Sequence, residues 1–369
     1  MIIVVIVVLI LYVFMMLSFM IGWKNIYNES SAYLIKVSVV VAVRNEQDNI
    51  QRLVQNLRDQ DYDKKMYNVI IVDDHSNDNS WALLCKEKLN WPELLLLSMN
   101  SDEHGKKQAI LKAVKFSDSE IILTSDADCF FSSDWITAMT SCFLDKKINL
   151  VSGPVSFNNE PTIFSKIQTL EFLSLVASGA GAIGINKPIF CNGANMAYRR
   201  EVFLSVNNYS QNSISSGDDV FLLHMVKKFY PRSIVFLKKH EAIVFTNAIT
   251  SFKSFINQRI RWTSKSSSYK DPDSILTSLL VFIVNLSLVL LLIFSLYDYI
   301  FIYLFLLFFL MKSLVDILFL VPVLRFFKRL ELIKWILPLQ IAYSFYLTLI
   351  VIISNFIPFN WKGRLQKND

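Results

Sequence analysis

Cysteine is scarce in this sequence, and its four copies, Cys85, Cys129, Cys142 and Cys191, fall at no CxxC spacing. That excludes a zinc-ribbon spacing and a disulfide framework, and reduced thiols fit a cytosolic domain. A Lys/Arg-rich binding face is also missing. The net charge is only +6, so nucleic acid is not an expected partner, and the bases that flank apolar runs are accounted for by anionic lipid headgroups. Residues 2–22 lack both a basic stretch before them and a small-residue cleavage site after them, which reads as an uncleaved anchor rather than a signal peptide. The sequons at Asn28 and Asn208 are short enough to be chance, and a cytosolic location leaves them unmodified.

What is abundant is apolar surface: 53% of the 369 residues are hydrophobic. Besides residues 2–22, the runs 275–296, 300–323 and 332–357 are each long enough to cross a bilayer. The expected organisation is an anchor at 1–23, one large globular domain at 24–273, and a membrane region at 274–369 with about three apolar segments. Lys24 and Lys36 follow the first run, and Arg325, Lys328, Arg329 and Lys334 fill the loop before the last, which places the large domain in the cytosol. Lys362, Arg364 and Lys367 conflict with four full crossings; either a break at Pro338 makes the last segment re-entrant, or the basic tail is tolerated outside. Lys312 and Asp316, four apart inside the third run, are expected as an internal ion pair, with contact to a lipid headgroup as the alternative. The stretch Thr162 to Ile185 is apolar but rich in small residues; its most apolar part, Leu173 to Ile185, is too short to cross a bilayer and suits either the membrane interface, where it would admit the acceptor, or core packing.

Within the large domain, strand-length apolar runs alternate with helical periods. Val37–Val43, Tyr67–Val72, Leu94–Ser98 and Glu120–Thr124 read as strands, and helical spacing follows from Ile50 and again over Gln108–Lys115. Strands that are apolar throughout imply an α/β fold with a mostly parallel sheet covered on both faces. Ligands bind beyond the carboxyl ends of such strands. Three of these ends carry charged clusters: Glu46, Asp73 with Asp74, and Asp126 with Asp128.

Each cluster has a functional and a bland reading. Asp126 and Asp128 stand two apart at a strand exit, where extended backbone points both carboxylates the same way to share a hard cation; the alternative is a helix N-cap with an acidic neighbour, ahead of a helix that begins near Ser133-Asp134. Asp74 can accept from a nucleobase or ribose, or build an Asx-turn with Ser76 and Asp78. Lys106, preceded by Gly105, suits a phosphate or plain solvation. The small-residue stretch 190–200 allows close backbone approach, and Asp218 and Asp219 open an apolar helix either as a general base or as first-turn acids. Gln258, Arg261 and Trp262 share one helical face, fit for a diphosphate and a sugar ring or for a basic interfacial helix.

Taken in order, VRNE (43–46), DDHSND (73–78), GK (105–106), DAD (126–128), GDD (217–219) and QRIRW (258–262) resemble the family 2 glycosyltransferases over residues 36–265. The resemblance is to the membrane-embedded branch that includes cellulose, chitin and hyaluronan synthases and ceramide glucosyltransferase. It implies a GT-A, Rossmann-like domain and an inverting hexosyl- or N-acetylhexosaminyltransferase. By the same resemblance Glu46, Asp74, Lys106, Asp126 and Arg261 bind the nucleotide sugar, and Asp126 and Asp128 hold Mg2+ or Mn2+. Asp219 is then the catalytic base with Asp218 beside it, and Gln258 and Trp262 lie on the acceptor side. The family often has Glu-Asp where this chain has Asp218-Asp219, and Ala42-Val43-Arg44 replaces its usual proline-containing start. Three C-terminal segments are few for a polymer channel, so the expected acceptor is a membrane lipid or lipid-linked glycan at the cytosolic face of a bacterial cytoplasmic membrane. A processive polysaccharide synthase is the alternative. A transporter or scaffold with a regulatory nucleotide-sugar domain is disfavoured by the scarcity of polar residues in the spans and by the intact carboxylates.

Overall fold

The computed structural model describes residues 2–26, 34–207, 218–266, 268–354, 356, 359–361 and 364–366. In chain order it contains α1 (Ile2–Lys24), β1 (Val37–Val43), α2 (Ile50–Arg58), β2 (Tyr67–Asp73), α3 (Ser80–Asn90), β3 (Leu94–Ser98) and α4 (Lys106–Phe116). Next come β4 (Ile121–Asp126), β5 (Phe130–Phe131), α5 (Trp135–Thr140), β6 (Leu150–Ser152), β7 (Val155–Phe157), α6 (Ile163–Gly184), β8 (Met196–Arg199) and α7 (Arg200–Asn207). Further along are α8 (Asp218–Phe229), β9 (Ile234–Phe236), β10 (Val244–Thr246), α9 (Phe252–Ser266), α10 (Pro272–Phe294), α11 (Ile300–Phe326), α12 (Ile336–Ser354), β11 (Phe359–Trp361) and β12 (Arg364–Gln366). Helix α4 starts at Lys106, two residues before the expected Gln108, because Gly105 adopts φ 94° and turns the chain directly into the helix.

These elements pack as two compact units. One comprises Asn25–Asn158 and Pro188–Asn247; the other comprises Met1–Lys24, Asn159–Lys187 and Ala248–Asp369. The stretch 24–273 is therefore divided, and α6 and α9 pack with the long apolar helices.

The first unit is built on a seven-stranded sheet in the order β3-β2-β1-β4-β8-β6-β9. β1 runs parallel to both β2 and β4, and all three are buried nearly throughout, as their unbroken apolar runs require. Register aligns the strand exits: Val43 pairs with Asp73, Ala42 with Asp126, and Asp73 with Ser98. The chain winds from β1 outward through β2 to β3, then returns to the other side of β1 for β4. That reversal opens a crevice at the carboxyl ends of β1 and β4, the usual ligand position in such sheets. A small second sheet, β5-β10-β7, lies beyond the end of β4 in sequence and includes Thr246.

In the second unit, five helical segments among the described residues are long and apolar enough to cross a membrane: Ile2–Lys24, Ile163–Gly184, Pro272–Phe294, Ile300–Phe326 and Leu330–Ser354. Helix α6 joins this set by its 22-residue length and composition, and its glycines bring it against α1 at backbone distance. A Cβ on Gly22 would lie 1.9 Å from the Gly181 carbonyl oxygen, and one on Gly184 would lie 2.1 Å from that of Gly22. Pro338 does not interrupt the last segment. It sits in the first turn of α12, where a missing N–H costs no intrahelical bond. Lys312 and Asp316 form the expected internal pair at 2.7 Å, both largely buried. Tyr12 of α1 donates to Asp316 (2.7 Å), Gln340 of α12 donates to Asp316 (2.6 Å), and Lys312 donates to Gln340. The network joins three helices and answers its own charges, as a buried pair must to be tolerated.

A methyl group at Gly22 has no space without separating two backbones. Gly22→Ala is expected to destabilise the protein by about 1–3 kcal/mol, read as a lowered thermal midpoint in detergent or nanodiscs. Ile21→Ala, at an exposed neighbouring position, should move the midpoint little.

Candidate active site

The loops leaving β1 and β2 are tied to each other before any ligand is considered. Arg44 donates through Nη1 to the carbonyls of Asp74 (2.6 Å) and His75 (3.0 Å). The Asn45 and Glu46 amides donate to the hydroxyls of Ser76 and Ser80, and the Asn77 amide donates to the Asn45 side chain. Asn45 and His75 both take positive φ, 52° and 55°. Asn tolerates this conformation well and His less so, and such residues persist where surrounding bonds hold them.

These bonds separate the two readings of Asp74. The turn after β2 is made by other carboxylates: Asp73 accepts from the Ser76 amide and Asp78 from the Ser80 amide. Asp74, 2% exposed, instead accepts from the Gly105 amide at 3.1 Å, which brings the start of α4 to the end of β2. Lys106, the next residue, pairs with Asp126 at 2.5 Å. Asp74, Lys106 and Asp126 thus form one continuous edge across the β2, α4 and β4 ends. Glu46 stands on the same edge, where its carboxylate accepts from Asn49.

Asp128 accepts from the Thr246 hydroxyl at 2.9 Å, and Arg52 donates to its backbone carbonyl. Burial pushes the Asp128 carboxyl up, and the neighbouring charge of Asp126 raises it further, with Glu46 adding to it. Two carboxylates that repel in a shielded place suit a divalent cation, because the ion removes the repulsion that burial makes costly. The helix-cap alternative finds no support: α5 begins at Trp135, and the Asp134 side chain makes no cap bond.

The second carboxylate centre is anchored beside the first. β8 pairs antiparallel with β4, Thr124 opposite Met196, so the turn 192–195 lies at the carboxyl end of β4. Thr124 donates to the Gly193 carbonyl at 3.3 Å, and the Gly193 amide donates to the Asp219 carboxylate at 2.9 Å. A Cβ at Gly193 would approach the Asp219 carboxylate to 3.2 Å, so the small residue permits this contact. Helix α8 starts at Asp218, as its apolar period predicts; Ser216 and Gly217 lie outside the described residues, as does the Asp218 side chain. Asn195 braces the turn from below. Its amide donates to the Pro154 and Ala242 carbonyls and accepts from the Trp135 indole.

Gln258, Arg261 and Trp262 lie on α9, in the helical unit, and all three are partly exposed. Between them Arg259 is buried, with a bidentate bond to Glu171 of α6. The sequence reading passed over Arg259, Glu171, Thr246 and Asn195. Only Arg259 had a local signal, a second arginine inside QRIRW. Asp74, His75 and His104 also place ligand atoms within 4.8 Å of one another. His75 reaches the Asn100 and Glu103 carbonyls (3.1 and 3.0 Å), which accounts for that ring as a tie between the loops.

The sequence model for Glycosyl transferase family 2 matches residues 38–206, a stretch that runs from β1 to α7 and holds the first carboxylate centre. Residues 38–206 are a family 2 glycosyltransferase domain. A poly-β-1,6-N-acetyl-D-glucosamine synthase of Staphylococcus aureus is 30% identical to this chain over 141 residues, 38% of this chain and 33% of that one. A β-monoglucosyldiacylglycerol synthase of Trichormus variabilis is 25% identical over 252 residues, 65% of this chain and 50% of that one. The matched regions thus span a third to a half of these relatives' own length. Among solved structures, the mannosyltransferase PcManGT of Pyrobaculum calidifontis, in complex with GDP-Man and Mn2+, superposes with a TM-score of 0.51 at 19% identity, covering 72% of this chain and 73% of that one. That likeness shows the GT-A fold.

Asn195→Ala would leave two buried carbonyls and the Trp135 indole without their partner. The sheet-based unit should lose about 3 kcal/mol or more, measured as a fall in the thermal midpoint of the purified full chain.

Proposed function

We propose that this chain transfers a sugar from a nucleoside-diphosphate donor to a membrane lipid or lipid-linked glycan at the cytosolic face of the membrane, with inversion. The observation that carries the reading is the pairing of two carboxylate centres at one sheet edge: Asp126 with Asp128 at the exit of β4, and Asp219 held by Gly193 beside Thr124. In this reading Asp74 and Glu46 bind the nucleoside and Lys106 and Arg261 face the diphosphate. Asp126 and Asp128 would hold Mg2+ or Mn2+, for which their mutual repulsion suits them. When bound, the metal supplies positive charge to the leaving diphosphate. Lys106, already paired with Asp126, is placed to exchange that partner for a phosphate oxygen.

Asp219 takes the acceptor hydroxyl proton, the acceptor oxygen bonds to the anomeric carbon, and the bond from that carbon to the diphosphate oxygen breaks. Two backbone amides, those of Gly193 and Val220, orient the Asp219 carboxylate for this work. Asp218 stands next to it in sequence as an accessory acid, and Gln258 and Trp262 serve the acceptor. Cytosolic placement is supported by Lys24 and Lys36 after the first span and by the basic residues 325–334. A lipid acceptor is supported by the longer match, which is to a glycolipid synthase. The polysaccharide synthase relative favours a second reading, transfer to a growing polymer.

Incubating membranes with radiolabelled UDP-glucose, UDP-N-acetylglucosamine and GDP-mannose, followed by lipid extraction, should put label in the organic phase. Label confined to a water-soluble polymer would replace the first reading by the second. Asp219→Asn should lower transfer about a hundredfold or more while donor binding, measured by equilibrium dialysis, stays near wild type. Full turnover in that variant would remove Asp219 as the base.

A further inference from the structure

We infer that Arg259, clamped by Glu171, is a positioning residue that fixes Gln258 as a hydrogen-bond donor and holds the Trp262 ring. The inference rests on the acceptor-side role proposed for Gln258 and Trp262.

Arg259 is 4% exposed, and its guanidinium is engaged on every side. Nε lies 3.2 and 3.1 Å from the two Glu171 carboxylate oxygens, and Nη2 lies 2.7 Å from Oε2. The remaining fork atom, Nη1, donates to the Gln258 side-chain oxygen at 2.8 Å. The guanidinium also lies over the rings of Phe255, one turn earlier (4.6 Å), and Trp262, nearly one turn later (4.2 Å). One cation therefore touches two of the partly exposed residues of QRIRW and ties both to α6.

The chemistry of the fork sets the chemistry of its neighbour. Guanidinium has donors and no acceptor, so the Gln258 amide must present its oxygen to Arg259. Its Nε2 group is then the end left for a ligand, and it can only donate. The group that Gln258 meets is accordingly an acceptor oxygen, a hydroxyl or a phosphoryl oxygen. Trp262, with the guanidinium on one side and Phe172 at 6.3 Å, is held in one orientation.

Glu171 is itself held. Tyr346 of α12 reaches its Oε1 at 3.4 Å, and the Tyr346 ring stacks on Phe255 at 5.8 Å. Three residues before Glu171, Gln168 exchanges two hydrogen bonds with the backbone of Ile249, just ahead of α9. Helix α6 thus fixes both the approach to α9 and its midpoint. A lysine could keep the charge of Arg259 but not the planar fork that serves two partners at once.

The test uses the full chain in nanodiscs, with transfer measured from whichever of UDP-glucose, UDP-N-acetylglucosamine and GDP-mannose labels the wild-type lipid extract. Arg259→Lys and Glu171→Gln should each lower kcat about tenfold or more, with donor binding unchanged. In a mutant cycle, Arg259→Lys should add little to the loss caused by Gln258→Ala combined with Trp262→Ala, because the first acts through those two side chains. Gln258→Glu, which keeps an oxygen for Arg259 and removes the donor, should be as impaired as Gln258→Ala. It also tests the donor assignment should the Arg259 and Glu171 variants fail to fold.

Additive losses in the cycle, wild-type kcat in Arg259→Lys, or full transfer by Gln258→Glu would each overturn the inference while leaving Asp219→Asn inactive. Normal transfer by Gln258→Ala and Trp262→Ala would overturn it together with the acceptor-side role of α9.

Discussion

Parallel pairing of β1 with β2 on one side and β4 on the other is the constraint on which the sheet-based unit depends. Strands buried on both faces leave no polar surface along their length, so charged side chains are confined to the exits. Register then decides which exits meet. With Val43 opposite Asp73 and Ala42 opposite Asp126, the three loops emerge at one level and can bond to one another. Arg44 on the Asp74 and His75 carbonyls and the Gly105 amide on Asp74 are consequences of that level.

The same edge concentrates like charge, and the structure distributes it rather than cancelling it. Asp73 and Asp78 are used in turn geometry, Asp74 in holding α4, and Asp126 against Lys106. Asp128 is left with a neutral hydroxyl partner from Thr246 and a raised carboxyl. A site that gathers anions and keeps one of them shielded is prepared for cations and phosphates together.

The helical unit follows a different rule. Lipid supplies no hydrophobic drive between helices, so they associate through small residues and polar bonds. Gly22 against Gly181 and Gly184 gives α1 and α6 backbone contact, and Tyr12, Lys312, Asp316 and Gln340 join α1, α11 and α12. Helix α6 then offers Glu171 to Arg259, so the element that packs by glycine also orients the QRIRW helix.

Strands β1 to β4, the order of the motifs, four of the apolar segments and the internal pair of Lys312 with Asp316 were legible in the sequence, because each depends on residues within a few positions of one another. Periodicity and charge spacing report such local facts directly. Which of Asp73 and Asp74 builds the turn, where α6 belongs, and why Pro338 does not break a helix were settled by tertiary structure. So were the brace at Asn195 and the clamp on Arg259, whose partners stand 41 to 88 residues away in the chain. Nothing in local composition distinguishes a buried arginine with a carboxylate waiting on another helix from one that faces solvent. That choice is made only when packing brings the two helices together and the cost of burying either charge alone selects the pair.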